Sequence, residues 1–199
     1  MSAIEIRSLS AVPAEPWRNG GGITRTLAVK DGAWRISLAE VERDGPYSRF
    51  DGITRVSFVV RGSGVTLRHE ASAVVLKPFE AAEYDGGTAW NAGLMNGPVT
   101  VLNVMSSSGR YRAKVLAIRE ATIVPPGCAA VVVALDSACS YSEQPTSTAG
   151  TAEPGQAMIV YLVDRPLWLT PAVCASAPAH EIRPPVLVVI EPAAIRMNN

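Results

Sequence analysis

The sequence predicts an all-β protein with few or no long helices, and three observations carry that prediction. First, apolar side chains recur at every second position. Trp34, Ile36 and Leu38 alternate with Arg35, Ser37 and Ala39, and Val56, Phe58 and Val60 alternate with Ser57, Val59 and Arg61. Second, the apolar runs are short, rich in β-branched residues and bounded by Gly, Pro, Asn, Asp or Ser. Third, sixteen glycines and fifteen prolines supply turns, and no long amphipathic segment of helical period with caps interrupts the pattern. Many short strands between frequent turns point to an antiparallel sandwich or barrel.

Along the chain, strands are expected within 34–39 and 56–61. Further strands are AVVL (73–76), VTVLNVM (99–105), AKVLAI (113–118), AAVVVAL (129–135), AMIVYLV (157–163) and VLVVIE (186–191). SSSGR at 106–110 separates two β-rich halves, 1–110 and 111–199, packed as one compact chain. SEQPTSTAGTAEPGQ at 142–156 is small, polar and proline-containing, and reads as an exposed loop. The second half is the more apolar, so the chemistry is expected in the first.

Composition narrows the function classes. Hydrophobic residues make up 48% of the 199 residues and charged ones 18%, a globular balance. Formal net charge is zero, which gives no bulk attraction to nucleic acid or an anionic membrane. No apolar run approaches the roughly 20 residues of a membrane helix. The opening MSAIEIRSLS lacks a basic and then apolar leader, so a cytoplasmic location is expected. Cys128, Cys139 and Cys174 are widely spaced with no CxxC, and read as buried free thiols. His69 and His180 form no HxH or HxxH pair, so neither a metal nor another cofactor is expected. No GxSxG elbow marks a nucleophile, and no catalytic residue is assigned. An enzyme using arginine electrostatics and a carboxylate acid such as Glu40 or Asp51 stays open as the alternative.

The distinctive stretch is WRNGGGITRTLAV, residues 17–29. Three consecutive glycines beside Asn19, Thr24 and Arg25 allow close backbone approach to a ligand or an anion-holding nest, and equally a structural hairpin or bulge. The lysine of a phosphate-binding P-loop is absent. Arg35 and Ser37 share one strand face, either solvated or facing a cavity. Asn103 lies between Val101 and Met105, as a satisfied core amide or a pocket-lining hydrogen bonder. Arg55 and Arg61 bracket the strand VSFVV. A planar guanidinium binds a carboxylate through two parallel hydrogen bonds, so arginines around a barrel mouth suit a small carboxylic acid.

PWRNGGGITRTLAV, WRISLAEVERDGPYSRFDGITR, VVRGSGVTL and GPVTVLNVM together resemble the HutD/Ves family over residues 12 to 112. Trp17, Asn19, Gly20, Gly21, Gly22, Thr24 and Arg25 fill the first signature, and Trp34, Arg35 and Ser37 the second. Asp44, Gly45, Ser48, Phe50 and Arg55 fill the third, and Asn103 and Met105 close the set. The resemblance implies a cupin-like fold, with two barrel-like halves as in a bicupin, but without the histidine set of metal-binding cupins. It implies a regulatory component of histidine utilization that binds a small carboxylate such as urocanate or formylglutamate, or a stress-response protein of the Ves branch. The ligand-contacting residues expected on this basis are Asn19, Thr24, Arg25, Arg35, Ser37, Arg55, Arg61 and Asn103. Sheet edges that need covering allow a homodimer.

Overall fold

The computed structural model describes residues 2–144, 148–172 and 182–193. The chain opens with β1 (Ile4–Ser8) and a short 3-10 turn at Leu9–Ala11. The first half then contains β2 (Glu15–Pro16), β3 (Gly22–Lys30), β4 (Trp34–Val41), β5 (Gly45–Pro46) and β6 (Ile53–Arg61). It continues with β7 (Val65–His69), β8 (Ser72–Leu76), β9 (Ala81–Asp85), β10 (Asn91–Leu94) and β11 (Val99–Ser107). The second half holds β12 (Tyr111–Ala117), β13 (Thr122–Val124), β14 (Ala129–Ala134) and β15 (Cys139–Glu143). It ends with β16 (Ala149–Ala152), β17 (Gln156–Val160), β18 (Leu167–Pro171) and β19 (Val186–Pro192). No α-helix occurs among the described residues, as the period-two patterning requires.

Each half is a pair of sheets. In the first, a six-stranded sheet of order β2-β3-β4-β11-β6-β9 faces a four-stranded sheet of order β5-β10-β7-β8. In the second, a five-stranded sheet of order β1-β17-β14-β19-β12 faces a four-stranded sheet of order β13-β18-β15-β16. The two larger sheets pack back to back. Ile36, Val56, Phe58 and Val104 from the first half meet Val131, Ile159 and Val188 from the second in one buried cluster. Side chains on the opposite face of each large sheet fill its own lumen. The second lumen is mainly aliphatic, with Val132, Met158, Leu167 and Leu187 at 0–1% exposure beside the buried Cys128 and Cys139. The first is aliphatic only at one end, around Val41, Val59, Leu67 and Val101.

Three expectations change on contact with the structure. Ile4–Ser8 lies in the first half by sequence, yet β1 pairs with β17 and forms an edge of the second half's sheet. The 142–156 stretch is not all exposed loop, because Ala149–Ala152 forms a strand with Ala152 fully buried. The 157–163 run stops being strand at Val160, and Tyr161 and Leu162 are exposed. Cys128 and Cys139 are buried free thiols, and burial pushes Cys139 up to about 11. Cys174 and His180 lie outside the described residues. Among the described residues no helix is long and apolar enough to cross a membrane.

Candidate ligand-binding site

Strand register builds the site. β4, β11 and β6 lie side by side, and their pairing stacks side chains in rows across the sheet. Val41 and Val99 pair at one end, and Ala39, Val101 and Val59 form the next row. Ser37, Asn103 and Ser57 form the third, and Arg35, Met105 and Arg55 the fourth. Alternation sends all of these to one face, into the lumen. The lumen therefore grades from packed aliphatic to hydroxyl and amide to cationic along the strands. At the cationic end it opens into a cavity of about 700 Å3. Its wall is completed by Trp17, Asn19 and Thr24 on one side and by Tyr47, Ser48 and Phe50 on the other.

Arg55 is the unusual group. It is only 5% exposed, and among the described residues no Asp or Glu lies within ion-pair distance of it or of Arg35. Its guanidinium sits 5.2 Å from the Tyr47 ring centroid and 5.4 Å from that of Tyr84, two cation–π contacts. One nitrogen makes a long 3.4 Å hydrogen bond to Asn103 Oδ1. Arg35 donates to Thr26 Oγ1 at 2.7 Å. The Nε atoms of both arginines and the Tyr47 hydroxyl are buried with no hydrogen-bond partner among the described residues. Buried polar groups are rarely left so. Arg35, Arg55 and Tyr47 all line the cavity, which gathers two guanidinium groups and a phenol on one wall.

The phenols add to this donor character. Burial pushes Tyr47 and Tyr84 above the ordinary tyrosine range, against the opposing pull of Arg55. Both stay protonated at neutral pH, and the Tyr84 hydroxyl bonds Ser57 Oγ at 2.8 Å rather than facing the cavity. Glu15, exposed on β2, is the one carboxylate among the lining residues. The arrangement can neutralise and orient a small anion. Among the described residues no three His, Cys, Asp or Glu side chains are placed to hold a metal ion.

The glycine run shapes the wall rather than touching an anion. Gly20 takes a positive φ of 65°, which closes a turn whose N–H donates to the Trp17 carbonyl. The Gly21 N–H donates to Asn19 Oδ1 at 3.0 Å. Both amides that a nest would need are thus already bonded within the protein. Gly22 lies so close to β4 that a Cβ would overlap the Glu40 carbonyl. The strap is then tied down by the Trp17 indole, which donates to Thr24 Oγ1 at 2.8 Å. Asn19 Nδ2 reaches the Pro46 carbonyl at 3.4 Å.

Of the residues singled out from sequence, Asn19, Thr24, Arg35, Ser37, Arg55 and Asn103 line the cavity together. Arg25 and Arg61 do not. Arg25 is opposite Leu38 in the β3–β4 register, one residue out of phase with lumen-facing Thr24, and it pairs with Glu40 on the outer face. Arg61 stands six residues beyond Arg55 on β6, past the aliphatic end, exposed, and close enough to Asp136 for its charge to help lower that carboxyl. Ser57, Tyr47 and Tyr84 were not singled out as site residues. Ser57 shares the odd-numbered face of β6 with Arg55, a signal present in the alternation. Tyr47 and Tyr84 arrive from a loop and from β9, where no local pattern announces them.

Fold and lumen together define a cupin-like protein with a cationic, donor-lined cavity in one of its two halves. The fold likeness extends to a cupin 2 conserved barrel domain protein from Leptotrichia buccalis, with a TM-score of 0.55 at 10% identity over 96% of this chain and 97% of that one. The HutD family model matches residues 9–164, and the chain belongs to that family.

Among relatives, the chain is 31% identical over 121 residues to an uncharacterized 21.2 kDa protein in the hutC 3' region of Pseudomonas putida, covering 57% of this chain and 64% of that protein. It is 32% identical over 119 residues to Protein Ves of Citrobacter koseri, covering 56% and 62%. The match thus spans less than two thirds of either relative's length. Two solved structures share the fold almost end to end. A conserved protein of unknown function from Pseudomonas aeruginosa PAO1 superposes with a TM-score of 0.78 at 22% identity, covering 95% of this chain and 97% of that one. HutD from Pseudomonas fluorescens SBW25 gives 0.73 at 20% identity, covering 96% and 99%.

Proposed function

We propose that the protein binds a small carboxylate in the lumen of its first half, through Arg35 and Arg55, and acts as a ligand-responsive component of histidine utilization. The single observation that carries the binding step is the pair of arginines lining one cavity with no carboxylate within ion-pair distance of either among the described residues. A carboxylate supplies the missing charge and up to four acceptor positions. Urocanate and formylglutamate are the candidate acids. The place in histidine utilization rests on the HutD family and on the Pseudomonas putida relative of the hutC region.

Thermal denaturation with histidine, urocanate, formylglutamate, glutamate and formate tests the reading. A ligand at 100 times its Kd stabilises by about 2.7 kcal/mol. For a chain of this length that raises Tm by roughly 5–10 °C. A rise with one pathway acid, absent with histidine, is the expected result. No rise with any acid at millimolar concentration overturns the reading.

A further inference from the structure

A second feature of the lumen concerns the amide of Asn103 rather than the arginines. Asn103 is 4% exposed and lines the cavity one row below Arg55. Both hydrogen bonds that its side chain makes within the protein end on Oδ1, from Ser57 Oγ at 2.6 Å and from Arg55 at 3.4 Å. Ser57 has a single hydroxyl hydrogen, and it is committed to Asn103. The 2.8 Å contact between Ser57 Oγ and the Tyr84 hydroxyl is therefore donated by Tyr84. The result is a one-way chain, Tyr84 to Ser57 to Asn103. Tyr84 and Ser57 do not line the cavity themselves, and Ser57 is fully buried.

The chain fixes which way the amide faces. A guanidinium only donates, so Arg55 rejects the NH2 end of Asn103, and Ser57 presents its hydrogen to the same oxygen. Nδ2 is then turned away from both, and among the described residues it meets no protein acceptor. We infer that Tyr84 and Ser57 are positioning residues that hold Asn103 with its NH2 group presented to the bound molecule. The lumen thereby selects carboxylates that carry a second, uncharged acceptor, a carbonyl oxygen or an unprotonated ring nitrogen. The inference rests on the carboxylate reading above and adds a requirement to it.

Two measurements separate the inference from that reading. The first needs no ligand. The Asn103 side-chain NH2 pair is assigned in a 15N spectrum by its loss in Asn103→Asp, and compared in Tyr84→Phe, which keeps the ring beside Arg55 and removes only the donor. A shifted or broadened pair is expected, as the Ser57 hydroxyl that bonds the oxygen is no longer held by Tyr84. The second compares urocanate with trans-cinnamate, a planar acid of similar shape without the ring acceptor, at a pH where the urocanate ring is neutral. The parent is expected to prefer urocanate by about tenfold, the range of one well-placed hydrogen bond. Tyr84→Phe and Ser57→Ala should each bring that ratio toward one, with cinnamate losing far less affinity than urocanate. An Asn103 pair unmoved in Tyr84→Phe overturns the inference, as does an unchanged ratio in both variants or an equal loss for both acids. If the parent binds none of these acids, formylglutamate included, the carboxylate reading fails, and the spectrum alone decides the positioning role.

Discussion

Replacing Arg55 with methionine separates ligand binding from folding. In the free protein Arg55 holds a charge at 5% exposure without a carboxylate partner, a situation that costs several kcal/mol in desolvation. Its compensation is two cation–π contacts, each about 0.5–2 kcal/mol, and one long hydrogen bond to Asn103. These terms nearly cancel. Methionine fills much of the same volume, and Asn103 Oδ1 keeps its bond from Ser57, so no buried acceptor is orphaned. The unliganded variant should stay within about 1 kcal/mol of the parent, or gain stability. Binding behaves differently. A carboxylate drawn into the cavity without this arginine faces a desolvation cost with only Arg35 to meet it. Truncating one side of a buried charge pair costs about 2–5 kcal/mol, roughly 30-fold or more in Kd. Calorimetry with the acid identified by thermal shift reads the affinity, and chemical denaturation reads the stability. An affinity within threefold of the parent would refute the reasoning. So would a loss of more than about 3 kcal/mol in the free variant, since it would make Arg55 a structural cation.

Other perturbations follow from the same geometry. Arg25→Ala and Arg61→Ala should leave ligand affinity within about twofold, because both side chains lie outside the cavity. A larger change in titration calorimetry would reinstate them. Gly22→Ala should cost about 1–3 kcal/mol by forcing β3 from β4, read as a lower Tm. Gly21→Ala, whose Cβ would meet only Asn19 Oδ1 at 3.2 Å, should cost clearly less. Arg183 holds the Asp136 carboxyl below the usual carboxylate range through two 2.6 Å hydrogen bonds. A depressed folded pKa stabilises above the unfolded value near 4 and fades as pH falls below it. Asp136→Asn should therefore be less stable than the parent at pH 7 by about 1 kcal/mol, discounted for partial exposure, and the gap should close toward pH 2–3. A gap independent of pH in denaturant titrations would contradict that.

Period-two patterning was enough to place strands within 34–39, 56–61 and 99–105, inside the observed Trp34–Val41, Ile53–Arg61 and Val99–Ser107. Alternation put Arg35 and Ser37 on one face, and the family resemblance is what joined Arg55 and Asn103 to them. Alternation gives the face of a residue and not its depth. Arg61 has the number parity of Arg55, yet six residues at about 3.3 Å each put it some 20 Å further along, and a register shift beyond Val59 sets it opposite Thr100, out of phase with the lumen-facing row. Arg25 fails for the opposite reason. It sits near the right depth, but next to lumen-facing Thr24 it has the wrong parity, and a bulge between Thr26 and Ala28 resets the phase further along β3. Tyr47 and Tyr84 reach the site only through long-range chain reversal, which no window of local sequence encodes. The glycine run was read as a close approach to a ligand, an anion-holding nest or a structural hairpin or bulge, and the close approach found is that of Gly22 to the Glu40 carbonyl.

The pairing of β1 with β17 bears on how the protein is made. Ile4 finds its partner at Val160 and Ser8 at Gln156, so this strand, made before its partner, waits for about 150 further residues. At about 5–20 residues per second that interval is on the order of ten to thirty seconds. The first half can meanwhile close its own two sheets, since β2 to β11 need no strand from outside their segment. During that window Ile4–Ser8 is an unpaired extended segment beside a domain that is otherwise complete. An unpaired strand of this kind is where a stalled or truncated chain would begin to associate with its neighbours.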